Sequence, residues 1–152
     1  MMWIMTIIFI IIDLVSKYIV ARYISLNESI IVIKNFLNIT YVRNTGVAFS
    51  ILPNSKYLIL VISFMIIGFI IYYLFKNKPI DLLEKISYSL ILGGAIGNFI
   101  NRVFNGYVTD FIDVKIFSYD YPIFNMADTF IVLGVVLMLI YAWRCKDGIK
   151  SK

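Results

Sequence analysis

Histidine is missing from all 152 residues, and cysteine occurs once, at Cys145. Without histidine neither a Ser-His-Asp triad nor a Cys-His pair can be assembled, and a protein-built zinc site loses its commonest ligands. A single thiol excludes an intrachain disulfide. Charge is scarce as well, with Asp, Glu, Lys and Arg making up 15% of the chain. In their place stand hydrophobic residues, 61% of the sequence, with a mean hydropathy of +0.89. That is more apolar surface than a water-soluble domain of this length can cover, so the chain reads as a membrane protein. Fourteen basic and nine acidic residues leave a charge of +5. The basic residues are scattered between apolar runs and do not form a nucleic-acid stripe, so membrane phospholipid is the matching anionic partner. Any chemistry must come from carboxylates, lysines, hydroxyls or amides, with no metal and no cofactor expected.

A bilayer core about 30 Å thick takes roughly 20 mostly apolar residues per helical span. Four segments meet or approach that length: about 1–22, 57–75, 86–104 and 128–143. The second is free of charge throughout, while the others carry polar residues at defined places. The first has no basic flank ahead of it, and its apolar run ends in Asp13-Leu14-Val15-Ser16-Lys17 without a small-x-small site, so it reads as a retained helix and not a cleaved leader. Lys76–Lys85 and the tail after Trp143 together hold seven basic residues in 19 positions. The connections 25–56 and 105–122 hold four in 50. By the positive-inside rule both termini are cytoplasmic and the long connections lie outside.

Those outer connections are rich in β-branched and aromatic residues. Ile30–Ile33 and Phe36–Val42 read as strands, the second partly alternating as a half-buried strand does. Asn105-Gly106 is a turn signal that ends the third helix, and Val108–Ile116 reads as a further extended segment. The expected fold is an all-α membrane protein: four transmembrane helices with a small extracytoplasmic β-sheet and outer loops, in one domain over 1–152.

Ionisable residues at membrane depth are costly and are usually paired or functional. Asp13 and Lys17 stand four apart on one helix face and can neutralise each other near the outer end of the span. In a functional version Asp13 faces the bundle and fixes polar groups of other helices. On the third helix Gly93, Gly94 and Gly97 permit close approach, while Gly94, Asn98 and Arg102 repeat at intervals of four with Asn101 beside them. Amide and guanidinium groups thus line one stripe that needs partners.

Two acidic stretches offer them. Asp110 follows the third helix and Asp128 opens the fourth at the same side of the membrane, so the two can meet. Two carboxylates at one site titrate in separated steps, leaving one protonated and one ionised, which is minimal equipment for peptide hydrolysis without histidine, cysteine or metal. Asp128 also fits a capping box with Asn125 as N-cap. Asp113 competes with Asp110, because an extended segment sends the two to opposite faces without saying which faces the site. Asn44-Thr45-Gly46-Val47-Ala48-Phe49-Ser50 suits a turn on composition, or else supplies an amide that bonds substrate backbone or orients a carboxylate.

Taken together these motifs resemble the lipoprotein signal peptidases, bacterial signal peptidase II. The resemblance runs through Asp-Leu-Val-Ser-Lys at 13–17, Asn-Thr-Gly-Val-Ala-Phe-Ser at 44–50, Gly-Gly-Ala-Ile-Gly-Asn-Phe-Ile-Asn-Arg at 93–102, Val-Thr-Asp-Phe-Ile-Asp at 108–113 and Phe-Asn-Met-Ala-Asp at 124–128. It implies an aspartic endopeptidase of the bacterial cytoplasmic membrane, acting at the outer face. The implied reaction removes the signal peptide of prolipoproteins just before a cysteine that carries a diacylglyceryl group. By motif the catalytic pair falls on Asp110 and Asp128, with Asp13, Asn44, Gly94, Asn98, Arg102, Asn125 and Ala127 as binding or supporting residues. The resemblance further implies a monomer inhibited by globomycin-type cyclic peptides.

Two positions depart from the family pattern: Leu14 stands where glutamine is frequent, and Asn101 where an aspartate usually precedes the arginine. An amide at 101 cannot form a charge-assisted pair with Arg102, so weaker or rearranged support around Arg102 is expected. The expected mode of entry is lateral, the signal helix packing on the small-residue face of the third helix while the sheet from Ile30 to Ser50 clamps the lipid-bearing end. Two rivals remain: a small binder or transporter with a polar path through Asp13, Lys17, Asn98 and Arg102, and a Ser-Lys peptidase pairing Lys17 with Ser50.

Overall fold

A computed structural model describes residues 1–46, 56–116 and 119–150. Among the described residues are four helices, α1 (Met2–Tyr23), α2 (Lys56–Lys76), α3 (Leu82–Asn105) and α4 (Met126–Lys150), and four strands, β1 (Ser29–Ile33), β2 (Leu37–Asn44), β3 (Val108–Ile116) and β4 (Tyr119–Asp120), in the chain order α1-β1-β2-α2-α3-β3-β4-α4. The strands form one antiparallel sheet in the order β1-β2-β3-β4. Because β1 and β2 follow α1 while β3 and β4 follow α3, the pairing of β2 with β3 gathers both long connections at one end of the helices.

The distribution of side chains is inverted relative to a soluble domain. Among the described residues, five of the seven largest fully buried side chains are polar: Lys17, Asn125, Asp13, Ser87 and Ser89. Apolar residues such as Ile7, Ile11, Phe64, Phe69, Val132 and Leu139 point outward. Burial of polar groups with hydrogen-bond partners, wrapped in exposed hydrocarbon, is the arrangement a lipid solvent selects. Among the described residues three helices, α1, α2 from Tyr57 and α4 to Lys146, are long and apolar enough to cross a membrane.

α3 lies against α1, α4 and α2. Glycine permits the closest of these approaches. A methyl group on Gly94 would fall on the backbone carbonyl oxygen of Ala127, and one on Gly97 would fall on Asp13 Oδ2. At its start α3 is capped by Asp81, whose carboxylate accepts from Leu83 N at 2.7 Å. It ends at Gly106, which takes the left-handed conformation (φ 82°) and returns its N–H to Arg102 O, as the Asn-Gly pair predicts. Asp13 stands ten residues before the end of α1, so the helix continues about 15 Å beyond it. Val20 on that extension packs with Tyr41 of β2 and Phe111 of β3, seating the sheet around the C-terminal end of α1.

Candidate active site

β3 carries Asp110 and the start of α4 carries Asp128, and backbone hydrogen bonds join the two segments. Phe111 N and Ile112 N both donate to Phe124 O, at 2.9 and 2.7 Å, and Phe124 N returns to Ile112 O at 3.1 Å. This bridge holds Asn125 beside Asp110. Asn125 caps α4 reciprocally with Asp128: Asp128 N donates to Asn125 Oδ1 at 3.1 Å and Asn125 N donates to Asp128 Oδ2 at 3.2 Å. Because its oxygen is taken by a donor, the Asn125 amide must turn its NH2 outward, and Nδ2 donates to Asp110 Oδ1 at 2.6 Å.

Two more asparagines follow the same logic. Asn44 accepts from Gly46 N at 2.9 Å and donates to Asp110 Oδ2 at 2.8 Å. Asn98 accepts from Lys17 Nζ at 2.7 Å and donates to Asp128 Oδ1 at 2.8 Å. In every case a neighbouring donor occupies the amide oxygen, which fixes the flip of the amide and aims its NH2 at a carboxylate. All four carboxylate oxygens of Asp110 and Asp128 therefore accept a hydrogen bond from the protein.

Asp110 is 3% exposed. Burial pushes its carboxyl up to about 6, and the charge of Asp128 adds to the rise, against the Asn125 and Asn44 amides that favour the ionised form. Asp128 is half-buried. Both line a cavity of about 770 Å³ together with Asn44, Asn98, Arg102 and Asn125, a size within the usual range for ligand sites. The rest of its wall is mainly apolar, including Ile66 and Ile70 of α2, Ile91 and Ala95 of α3, and Ile131 and Leu133 of α4. A hydrocarbon trough thus leads to paired carboxylates.

Asp13 lies behind this cavity, fully buried. Its Oδ1 accepts from Ala127 N at 2.9 Å and its Oδ2 from Lys17 Nζ at 2.7 Å. It satisfies a free amide at the first turn of α4, and it faces the bundle as the functional version of the sequence reading has it. Arg102 Nη2 donates to Gly46 O at 2.9 Å, while its Nε meets no partner among the described residues. Asp113 turns away to Thr40 (2.8 Å) and Asn38 (3.2 Å) across the sheet, so the two aspartates of β3 part company as their spacing requires.

Two expectations change, and the support around Arg102 is rearranged. The small-residue face of α3 is not open to a substrate helix, because Gly93 meets Phe9, Gly94 meets Ala127 and Ile131, and Gly97 meets Asp13; the chain's own α1 and α4 occupy it. Asn101 bonds elsewhere than Arg102: its Oδ1 accepts from Thr109 N at 2.7 Å, capping the entry to β3 directly before Asp110. The polar path is interrupted, since Asp13 and Lys17 are sealed behind Asn98 and do not line the cavity. Ser50, with Val47, Ala48 and Phe49 of the same motif, lies outside the described residues. Lys17 is held by Asp13 and Asn98, a poor setting for a neutral general base.

Sequence reasoning gave Lys17 no place among the supporting residues, and although it assigned Gly97 to close packing it did not identify Asp13 as the group packed there. Lys17 bonds a residue 81 positions away, a contact that no spacing within one helix encodes. The i,i+4 pairing with Asp13 was the available signal.

The family model described as signal peptidase (SPase) II matches residues 5–144. Among solved structures, a bacterial membrane enzyme determined by the in meso method at 2.3 Å resolution is 38% identical, with a TM-score of 0.91, covering 99% of this chain and 92% of its own. A second bacterial membrane enzyme, determined by the same method at 1.9 Å, is 40% identical with a TM-score of 0.83, covering 93% and 91%.

Proposed function

The chain belongs to the signal peptidase II family of aspartic peptidases, membrane enzymes that cleave lipoprotein signal peptides, and from that premise we propose that Asp110 and Asp128 are its catalytic pair. The observation that carries the reading is that both carboxylates line one cavity and each is bracketed by amide groups of fixed orientation. Asp128 sits in the first turn of α4, where the helix dipole favours negative charge, and takes the part of base. Asp110, raised to about 6 by burial, carries the proton.

A water between them gives a proton to Asp128 while its oxygen adds to the peptide carbonyl carbon, and Asp110 hands its proton to the carbonyl oxygen. The carbon–nitrogen bond then breaks as the nitrogen takes the proton from Asp128. The carbonyl re-forms and returns the other proton to Asp110. One water is consumed, and one carboxyl and one amine terminus are released. Asp13, Asn44, Gly94, Asn98, Asn125 and Ala127 hold the pair in place, and Arg102 fixes the backbone at Gly46 beside it.

The substrate is a prolipoprotein whose cysteine carries a diacylglyceryl group. The apolar trough between α2, α3 and α4 accepts the signal segment sideways from the bilayer, in place of the occupied glycine face. α3 is the fourth span: it is 24 residues long, lies among the three apolar helices, and owes its lower hydropathy to polar residues turned inward. The chain works as a single monomeric unit of the bacterial cytoplasmic membrane, with both termini cytoplasmic, the carboxylates toward the outer face, and globomycin-type peptides as inhibitors. The decisive experiment compares a lipidated with an unlipidated precursor on purified wild-type, Asp110→Asn and Asp128→Asn enzymes of equal membrane insertion. Cleavage of the lipidated precursor by wild type alone is expected. Undiminished cleavage by either variant sinks the paired-carboxylate mechanism.

A further inference from the structure

The junction of the helices and the sheet gathers five charged side chains, of which Asp13, Lys17 and Asp110 are buried and Arg102 and Asp128 half-buried. α1 contributes Asp13 and Lys17, α3 contributes Arg102, β3 contributes Asp110 and α4 contributes Asp128. The other charged groups nearby face elsewhere: Asp113 bonds Thr40 and Asn38, Arg43 of β2 is exposed over Tyr107, and α2 brings none between Tyr57 and Phe75. Two cations and three carboxylates are electrically neutral when the carboxylates share one proton. Asp13 is the least suited holder, because its Oδ2 is ion-paired with the Lys17 ammonium at 2.7 Å, whereas Asp110 and Asp128 accept only from uncharged amides. The proton is left to the pair Asp110 and Asp128.

Lys17 has a second handle on that pair. An ammonium group can only donate, so its 2.7 Å bond to Asn98 Oδ1 compels Asn98 Nδ2 to face Asp128 Oδ1. The lysine is 2% exposed and lies outside the cavity wall, so it touches neither substrate nor water there. A buried charge in a low-dielectric setting is expensive unless it is matched, and it acts on neighbours with little screening.

We propose that Lys17 is a positioning residue that sets the protonation of the catalytic pair, its charge and its lock on the Asn98 amide holding Asp128 ionised while one proton stays on Asp110. The proposal rests on the paired-carboxylate reading above. Its role is electrostatic, and the sign is fixed. Removing a nearby cation makes both carboxylates hold their protons to higher pH, so both limbs of the bell-shaped activity profile move up. Removing the Asp13 charge instead leaves Lys17 uncompensated and moves both limbs down.

The test is the pH dependence of kcat for a lipidated precursor, with purified enzyme in uncharged phosphatidylcholine. Wild type, Lys17→Met, Asp13→Asn and the double variant Asp13→Asn/Lys17→Met are compared. Lys17→Met is expected to shift both limbs up by about one pH unit, a roughly tenfold loss on the acid limb at fixed pH. Asp13→Asn shifts them down, and the double variant, which restores the charge sum, returns them toward wild type. A loss of kcat at every pH with the limbs unmoved in Lys17→Met and Asp13→Asn overturns the proposal and leaves Lys17 a purely structural residue. If Lys17→Met does not fold because Asp13 is stranded, the Asp13→Asn profile decides alone, and an unmoved bell there is fatal. Asp110→Asn and Asp128→Asn run alongside: activity surviving in them refutes the catalytic pair itself, whereas their inactivity with unmoved bells refutes the role of Lys17 only.

Discussion

Asn125 lies 2.6 Å from Asp110 through its amide nitrogen and 3.1 Å from the backbone nitrogen of Asp128 through its amide oxygen, so one side chain ties the cap of α4 to the orientation of a carboxylate on β3. Losing an N-cap of this kind costs about 1 kcal/mol of stability. Misplacing a reacting group by an ångström costs about 100-fold in rate. Asn125→Ala is therefore expected to lower kcat by about two orders of magnitude while the protein still inserts and unfolds only slightly more easily. A cleavage assay paired with thermal unfolding in detergent measures both, and a variant of wild-type kcat would mean that Asp110 needs no such anchor.

The glycines of α3 make a sharper contrast. A methyl group at Gly97 would overlap Asp13 Oδ2 and one at Gly94 would overlap the Ala127 carbonyl oxygen, while Gly68 of α2 has nothing within 4 Å of such a group. Gly94→Ala and Gly97→Ala are expected to destabilise by about 1–3 kcal/mol through overpacking and to displace the groups behind Asp128. Gly68→Ala is expected to behave as wild type. Thermal midpoints and specific activities of the three variants check this, and equal behaviour of all three would contradict the close packing.

Much of this arrangement can be read in the sequence, and the remainder has a common reason for being hidden. The strand Val108–Ile116 lies where its β-branched run places it, and the turn at Asn105-Gly106 ends α3. Both are local signals. The capping and catalytic readings of Asp128 looked like alternatives in one dimension; in the structure the same carboxylate caps α4 through Oδ2 and faces the cavity with Asn98 on Oδ1. Contacts between distant segments left no periodicity to read. Asp13 to Ala127 spans 114 positions and Lys17 to Asn98 spans 81, and the small-residue face of α3 gives no indication in sequence whether a substrate or the chain's own helices will cover it.

Asn101 offers a test of a departure from the family pattern. Its Oδ1 accepts from Thr109 N, a task that an aspartate oxygen performs equally well. Asn101→Asp is expected to keep kcat within a few-fold of wild type. Asn101→Ala leaves Thr109 N, a buried group beside Asp110, without its acceptor, which costs about 1–3 kcal/mol. A tenfold or larger fall in kcat is expected for the alanine variant. If instead the aspartate variant gains activity by an order of magnitude, pairing with Arg102 and not the cap at Thr109 is what the position supplies.

Asp110 links activity to stability in a way that pH exposes. Its carboxyl sits at about 6 in the folded protein against an ordinary value of 3.8, so between those values the folded state binds more protons than the unfolded one. Stability therefore falls as pH rises through this window, and above pH 6 the fold carries a buried charge whose cost is at most about 3 kcal/mol. Asparagine at the same position carries no charge at any pH. Asp110→Asn abolishes cleavage under the proposed mechanism, yet its stability relative to wild type is expected to improve from pH 4 to pH 8 by up to that amount. The difference between the two proteins is the informative quantity, because hydrogen bonds lost by the amide against Asn44 and Asn125 are the same at both pH values. Unfolding midpoints of both proteins at pH 4 and pH 8 in one detergent measure it. A stability difference that does not change with pH would show that Asp110 is ionised throughout and cannot be the partner that carries the proton.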